Sequence, residues 1–193
     1  MKIRLPIPES DAALPIVTAG HPALRKTAEL VPDPTDPAIA RLGRILVNSL
    51  YEVGGVGLAA PQVGIGLRVV LFSVPARRLT GAPDDVEQGP MVLVNPLITP
   101  IGTETEEDWE GCLSLPGLTG RVLRPRRIRY QGITPEGLAI DRTVGGFHAR
   151  VVQHECDHLD GTLYPQRMPD MSTLMYADHR LNLTALLAER TTS

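Results

Sequence analysis

Residues His154-Glu155-Cys156-Asp157-His158 constrain this chain more than any other stretch, because they tie a fold to a chemistry. Two histidines four positions apart lie on one face of a helix, one turn from each other. Their imidazoles can hold one metal ion while Glu155 stands beside it as a general base, the HExxH arrangement of metal-dependent hydrolases. The helix must also be internal. Phe147, Val151, His154 and His158 recur at spacings of four, three and four, so the histidines continue an apolar, inward-facing stripe. A pair of hydrogen-bonded core histidines is the plainer alternative. Two imidazoles and a carboxylate are nevertheless costly to bury without a partner, and a metal supplies one.

A catalytic metal needs a third protein ligand and an open position. Downstream candidates are Asp160, Asp170, Asp178 and His179; upstream, Cys112 stands out in Glu110-Gly111-Cys112-Leu113-Ser114. Cys156 projects about 200° away from His154 on a helix, so it reads as a small packed residue. A disulfide between the chain's two cysteines is the competing use of Cys112. Met1 to Glu9 carries Lys2, Arg4, Pro6 and Pro8 and no apolar run of a secretory signal, which points to the cytoplasm, where thiols stay reduced. The lack of an Arg- and Ser-rich transit segment favours a bacterial cytosol over an organelle. Cys112 then reads as a thiolate ligand.

The length of 193 residues suits one domain, 1–193, with an extended, proline-rich arm over 1–16 and a helical tail over 170–193. A formal net charge of −3 gives no general basic field, so DNA is not an expected partner. Arg121, Arg124, Arg126, Arg127 and Arg129 form a local basic cluster, read as a solvated strand and turn face, with contact to RNA or an acidic partner as the alternative. No apolar stretch approaches the ~20 residues that span a bilayer.

Thr35-Asp36-Pro37 offers an N-cap followed by proline at the first helical position. Ile39, Leu42, Leu46, Leu50 and Val53 then mark an amphipathic helix ended by Gly54 and Gly55. Strands are predicted over 68–74, 91–94, 98–105, 126–131 and 138–144, with a mobile surface loop at 75–90. Gly145-Gly146 opens the histidine helix, Gly161 closes it, and Met171 to Glu189 is read as a final short helix. The expected class is α+β, with small antiparallel sheets packed around the central HExxH helix.

Gly55-Val56-Gly57-Leu58-Ala59-Ala60-Pro61-Gln62, then Glu110 to Ser114, then Gln153 to Gly161, in that order, make this chain resemble the peptide deformylases from about Val17 to about Met168. The resemblance implies a hydrolase that removes the N-terminal formyl group from formylmethionyl nascent polypeptides and releases formate. It implies Cys112, His154 and His158 as ligands to one divalent metal ion. Spacing alone would suggest zinc. The resemblance implies Fe²⁺ in the cell, with Zn²⁺, Ni²⁺ or Co²⁺ able to take its place in purified protein. Glu155 would move the proton. The Gln62 side-chain amide and the Leu113 backbone N–H would, by resemblance, face the oxygen that gains negative charge when the formyl carbon is attacked. Gly55, Val56 and Gly57 would lie along the peptide, the glycines lacking a Cβ that could hold it off. Phe147 and Val151, on the face of His154, would line a pocket for the first side chain, by resemblance an unbranched methionine.

Two features depart from the family pattern. Some bacterial members carry a substrate-contacting arginine seven residues after the metal-binding cysteine; here that position is Thr119. The chain also lacks a long basic C-terminal helix, which leaves at most a weak association with the ribosome. Arg124 occupies a second arginine position of the family and is expected to orient Asp157 or the Cys112 loop. A metalloendopeptidase using Asp178 or His179, and a metal-binding module without catalysis, are the competing functions. Intact Glu155 and Gln62 argue against the second.

Overall fold

A computed structural model describes residues 6–180. From residue 6 the arm runs without regular structure along the first helix, α1 (Pro37–Val53). It is held there by Leu14 N–H donating to Ser49 Oγ at 2.8 Å, Asn48 donating to the Asp11 carbonyl and burial of Ile7. Helix α1 begins as the sequence dictates: Asp36 accepts from the Ala38 N–H at 2.8 Å, a cap typically worth about 1 kcal/mol. It ends at Gly54, whose φ of +73° suits glycine.

Five strands then form an antiparallel sheet in the order β1 (Gly57–Ala59), β2 (Val69–Val74), β3 (Gln88–Pro100), β6 (Arg127–Ile133) and β7 (Ala139–Gly145). Between β3 and β6 the chain leaves to build a smaller sheet from β4 (Thr105–Cys112), β5 (Leu115–Pro125) and β8 (Met175–Tyr176). The second helix, α2 (Gly146–Leu159), carries the histidines and packs on the large sheet while its polar side chains reach β4 and β5. The period of two in β2 explains the layering. Val70, Phe72 and Val74 meet Phe147, Val151 and Val152 of α2, whereas Val69 and Leu71 meet Ile39, Leu42 and Leu46 of α1. A strand buried on both faces reads as an unbroken apolar run.

Three expectations change. The stretches 91–94 and 98–105 are not separate strands: β3 runs continuously to Pro100 with a bulge at Asn95, and β4 starts at Thr105. Asn95 takes φ +51° there and exchanges two 2.9 Å hydrogen bonds with the Val31 backbone, which reward the irregularity. The segment 75–90 is pinned and not free. Buried Asp85 accepts from the Thr80 N–H, the Thr80 hydroxyl and the His148 N–H, and the Val86 carbonyl meets His148 Nδ1 at 2.9 Å. Met171–Thr173 is a 3-10 turn and Met175–Tyr176 is β8, so the tail is helical only from 177, and its remainder past 180 lies outside the described residues. No helix among the described residues is long and apolar enough to cross a membrane.

Candidate metal centre

Cys112 and Cys156 are both free, so no disulfide competes for the thiol. Cys112 closes β4, while His154 and His158 stand one turn apart on α2 with ring centroids 5.1 Å apart. One donor atom from each of Cys112, His154 and His158 converges, all within 4.8 Å of one another. The downstream alternatives are engaged elsewhere. Asp160 pairs with Arg68 at 2.7 Å, Asp170 accepts from the Ser172 N–H, and Asp178 accepts from the His179 N–H. Cys156 is buried in the apolar core, and burial pushes its thiol pKa up, out of reach of nucleophilic use.

Glu110, quoted in the sequence motif but given no role there, is the hub. Its Oε2 meets His154 Nδ1 at 2.8 Å, which fixes the imidazole and leaves Nε2 to the converging cluster. Arg124 grips both Glu110 oxygens at 2.9 Å and Asp157 at 2.5 Å, so it acts on two carboxylates and not directly on the Cys112 loop. Arg150 adds a 2.8 Å bond to Glu110 and donates to the carbonyls of Val122 and Glu106, tying α2 to the small sheet. Burial alone would raise the Glu110 pKa, but the bonds from Arg124 and His154 outweigh it and hold the carboxyl ionised far below its ordinary range. Arg124 is thus buried and must be removed from the solvated cluster. The remaining four face acids: Arg121 with Glu107, Arg126 with Glu104, Arg127 with Asp84, Arg129 with Asp141.

With Arg124 and Arg150 balancing Glu110 and Asp157, the Cys112 thiol and the Glu155 carboxyl remain beside the two imidazoles. Glu155 Oε2 and His158 Nδ1 are buried without a hydrogen-bond partner among the described residues. Burial pushes the Glu155 pKa up to about 7. One thiolate, two imidazoles and an adjacent carboxylate suit a divalent cation in charge and donor type, so the residues fit the metal that the motif implies.

Gly57 explains how Glu155 comes so close to β1. A Cβ on Gly57 would lie 2.2 Å from Glu155 Oε1 and 2.6 Å from its Cδ, so the glycine makes room for the carboxylate. Gln62 is 2 % exposed and oriented at both ends. Its Oε1 accepts from the Ala59 N–H at 2.8 Å, and its Nε2 faces Cys112 Sγ at 3.5 Å and Ser114 Oγ at 3.3 Å. These groups open onto a cavity of about 530 Å³ lined by Gly55, Val56, Gly57, Gln62, Cys112, Leu113, Phe147, Val151, His154 and Glu155. Arg78, Trp109 and Arg150 also line it, and no local sequence pattern marks them. Thr119 does not stand in for the family's arginine: its hydroxyl is buried and donates to the Glu110 carbonyl at 2.8 Å.

An antiparallel α+β fold around an internal helix that brings Cys, His, His and Glu together at a cleft defines a metal-dependent hydrolase class. Residues 13–174 match the family described as polypeptide deformylase. Peptide deformylase 1 of Nitrosomonas europaea is 47% identical over 165 residues, covering 85% of this chain and 92% of the relative. Peptide deformylase 2 of Pseudomonas syringae pv. tomato is 51% identical over 133 residues, 69% of this chain and 73% of the relative. Among solved structures, peptide deformylase from Ehrlichia chaffeensis superposes with a TM-score of 0.76 at 32% identity, over 84% of this chain and 91% of that one. The Met-Ala-Ser-bound class I type b peptide deformylase from Acinetobacter baumannii gives 0.73 at 33% identity, over 82% and 100%. The chain belongs to the polypeptide deformylase family, metal-dependent enzymes that act on formylmethionyl peptides.

Proposed function

We propose that this chain, as one catalytic domain over 1–193, removes the formyl group from formylmethionyl nascent polypeptides in the bacterial cytoplasm and releases formate. The observation that carries the reading is the convergence of Cys112, His154 and His158 beside a buried Glu155 oxygen that lacks a hydrogen-bond partner among the described residues. Fe²⁺ is the proposed native ion, held by those three donors, with Zn²⁺, Ni²⁺ or Co²⁺ as substitutes. When bound, a divalent ion supplies Lewis-acid chemistry and makes a water easier to deprotonate. Glu155 takes that proton and later delivers it to the leaving amine. The Gln62 amide, held at Oε1 by the Ala59 N–H with Nε2 beside Cys112 Sγ, and the Leu113 N–H receive the new oxyanion. The peptide adds as a strand beside Gly55, Val56 and Gly57, because β1 is an edge strand bonded on one side to β2. Phe147 and Val151 receive its first side chain. Pairing of the surface arginines with acids supports no more than a weak ribosome association.

The test sets formyl-Met-Ala-Ser against an internally quenched unformylated peptide, with iron kept reduced because a thiolate-ligated site oxidises. Formate release from the first is expected. Cleavage of internal bonds without formate release would replace this reading with an endopeptidase.

A further inference from the structure

Arg78 ends a short 3-10 turn, Ala76–Arg78, in the segment that Asp85 pins to the start of α2. Its guanidinium lies 4.3 Å from the centroid of the Phe147 ring and lines the catalytic cavity. The other arginine on that wall, Arg150, is held by Glu110, and Arg127 nearby is neutralised by Asp84 of the same segment. Arg78 is exposed, lines the cavity and has no carboxylate partner among the described residues. With Cζ over the Phe147 ring, the Arg78 guanidinium makes no hydrogen bond to a side chain or carbonyl among the described residues, so its N–H donors are available to a carboxylate. A formylated peptide has no ammonium at its start that such a cation would repel.

From this placement we propose that Arg78 is a specificity-determining residue that binds a carboxylate of the peptide downstream of the formylated residue. The proposal rests on the deformylase reading and adds a preference for a downstream carboxylate to it. The carboxylate comes from an acidic side chain at the second or third position, or from the free C-terminus of a short peptide. Both sources present the same group to the same donors.

The experiment measures kcat/KM on the metal-loaded enzyme for matched peptides. Formyl-Met-Asp-Ser-amide is compared with its Asn counterpart, formyl-Met-Ala-Asp-amide with its Asn counterpart, and formyl-Met-Ala-Ser acid with the amide. A preference of about three- to five-fold for one carboxylate, expressed in KM and shrinking as salt is raised, is the expected result for an exposed ion pair. Arg78→Glu inverts that ratio, Arg78→Ala brings it to unity, and Arg78→Lys restores part of it. The pair that shows the effect identifies the source. Ratios near unity in the wild type, or equal changes for acidic and neutral peptides in Arg78→Glu, would overturn the proposal and leave deformylation standing. No turnover of the neutral amide would remove the underlying reading, and this proposal with it.

Discussion

Gly57→Ala tests the tightest contact in the site. The added Cβ would begin 2.2 Å from Glu155 Oε1, and Cβ atoms essentially never approach a heavy atom within 3.0 Å, so the carboxylate must retreat by at least about 0.8 Å (3.0 − 2.2). It has little room to do so, because Glu155 is 4 % exposed and α2 is anchored on both sides by Arg150, Gln153 and Asp157. Overpacking of this kind typically costs about 1–3 kcal/mol, which for a chain of this size lowers Tm by roughly 2–12 °C. Displacing a catalytic group by about 1 Å costs on the order of 10²-fold in rate. The expected phenotype is therefore a folded protein with metal content near wild type and kcat down about a hundredfold. Gly66→Ala is the control, since its Cβ would meet nothing within 4 Å. Formate release and thermal melts on the three proteins decide the matter. A Gly57→Ala enzyme melting within about 1 °C of wild type, with kcat within about threefold, would refute the claim that this glycine is there for Glu155.

Cys112→Ala should lose bound metal, because two imidazoles alone hold a divalent ion poorly; full occupancy in a folded variant, by elemental analysis, would sink the ligand assignment. Glu155→Gln should keep the ion yet lose at least about 10²-fold in kcat, and activity near wild type would mean another base moves the proton. Glu110→Gln removes the charge that orients His154 and balances Arg124 and Arg150, so metal affinity should fall about 10–100-fold in a competition titration; unchanged affinity would reduce Glu110 to a packing role. Stability should also depend on pH through His148, whose folded pKa is lowered from 6.5, chiefly by burial. Its contribution is complete above the unfolded value and is lost as pH falls below about 6.5, so Tm should drop toward pH 5.5, with a shallower slope in His148→Gln. Equal slopes would assign the acid sensitivity elsewhere.

What the sequence made legible follows from range. Helix α1, its Asp36 cap and the inward stripe of α2 are local periodicities, and they appear where the spacing puts them. Cys112 and Gln62 were legible through resemblance of short motifs, and the structure sets both at the cavity. Strands β4 and β5 are not legible in the sequence, because Thr105 to Cys112 of β4 lacks an apolar alternation, and what stabilises it is pairing with β5, a segment the sequence cannot align by itself. Arg78 was invisible for the same reason: its distance from Phe147 in sequence hides a contact that the pinned 75–90 segment creates.

The hub at Glu110 shows why such pairing matters more than the residue list. Along β5 burial alternates, with Gly120, Val122 and Arg124 inward and Arg121 and Leu123 outward. The register that sets Glu106 opposite Arg124 and Glu110 opposite Gly120 therefore turns the Arg124 guanidinium to the same inner side as Glu110 and Asp157. A slip of one residue that set Leu123 opposite Glu106 would send Arg124 to solvent and put an apolar side chain in its place. Glu110 and Asp157 would then be buried with only Arg150 and the half-exposed Arg167 between them, and an uncompensated buried charge typically costs about 3–5 kcal/mol. Because Glu110 also holds His154, the ion-pair network penalises the wrong register in the same step that orients His154 in the candidate metal centre.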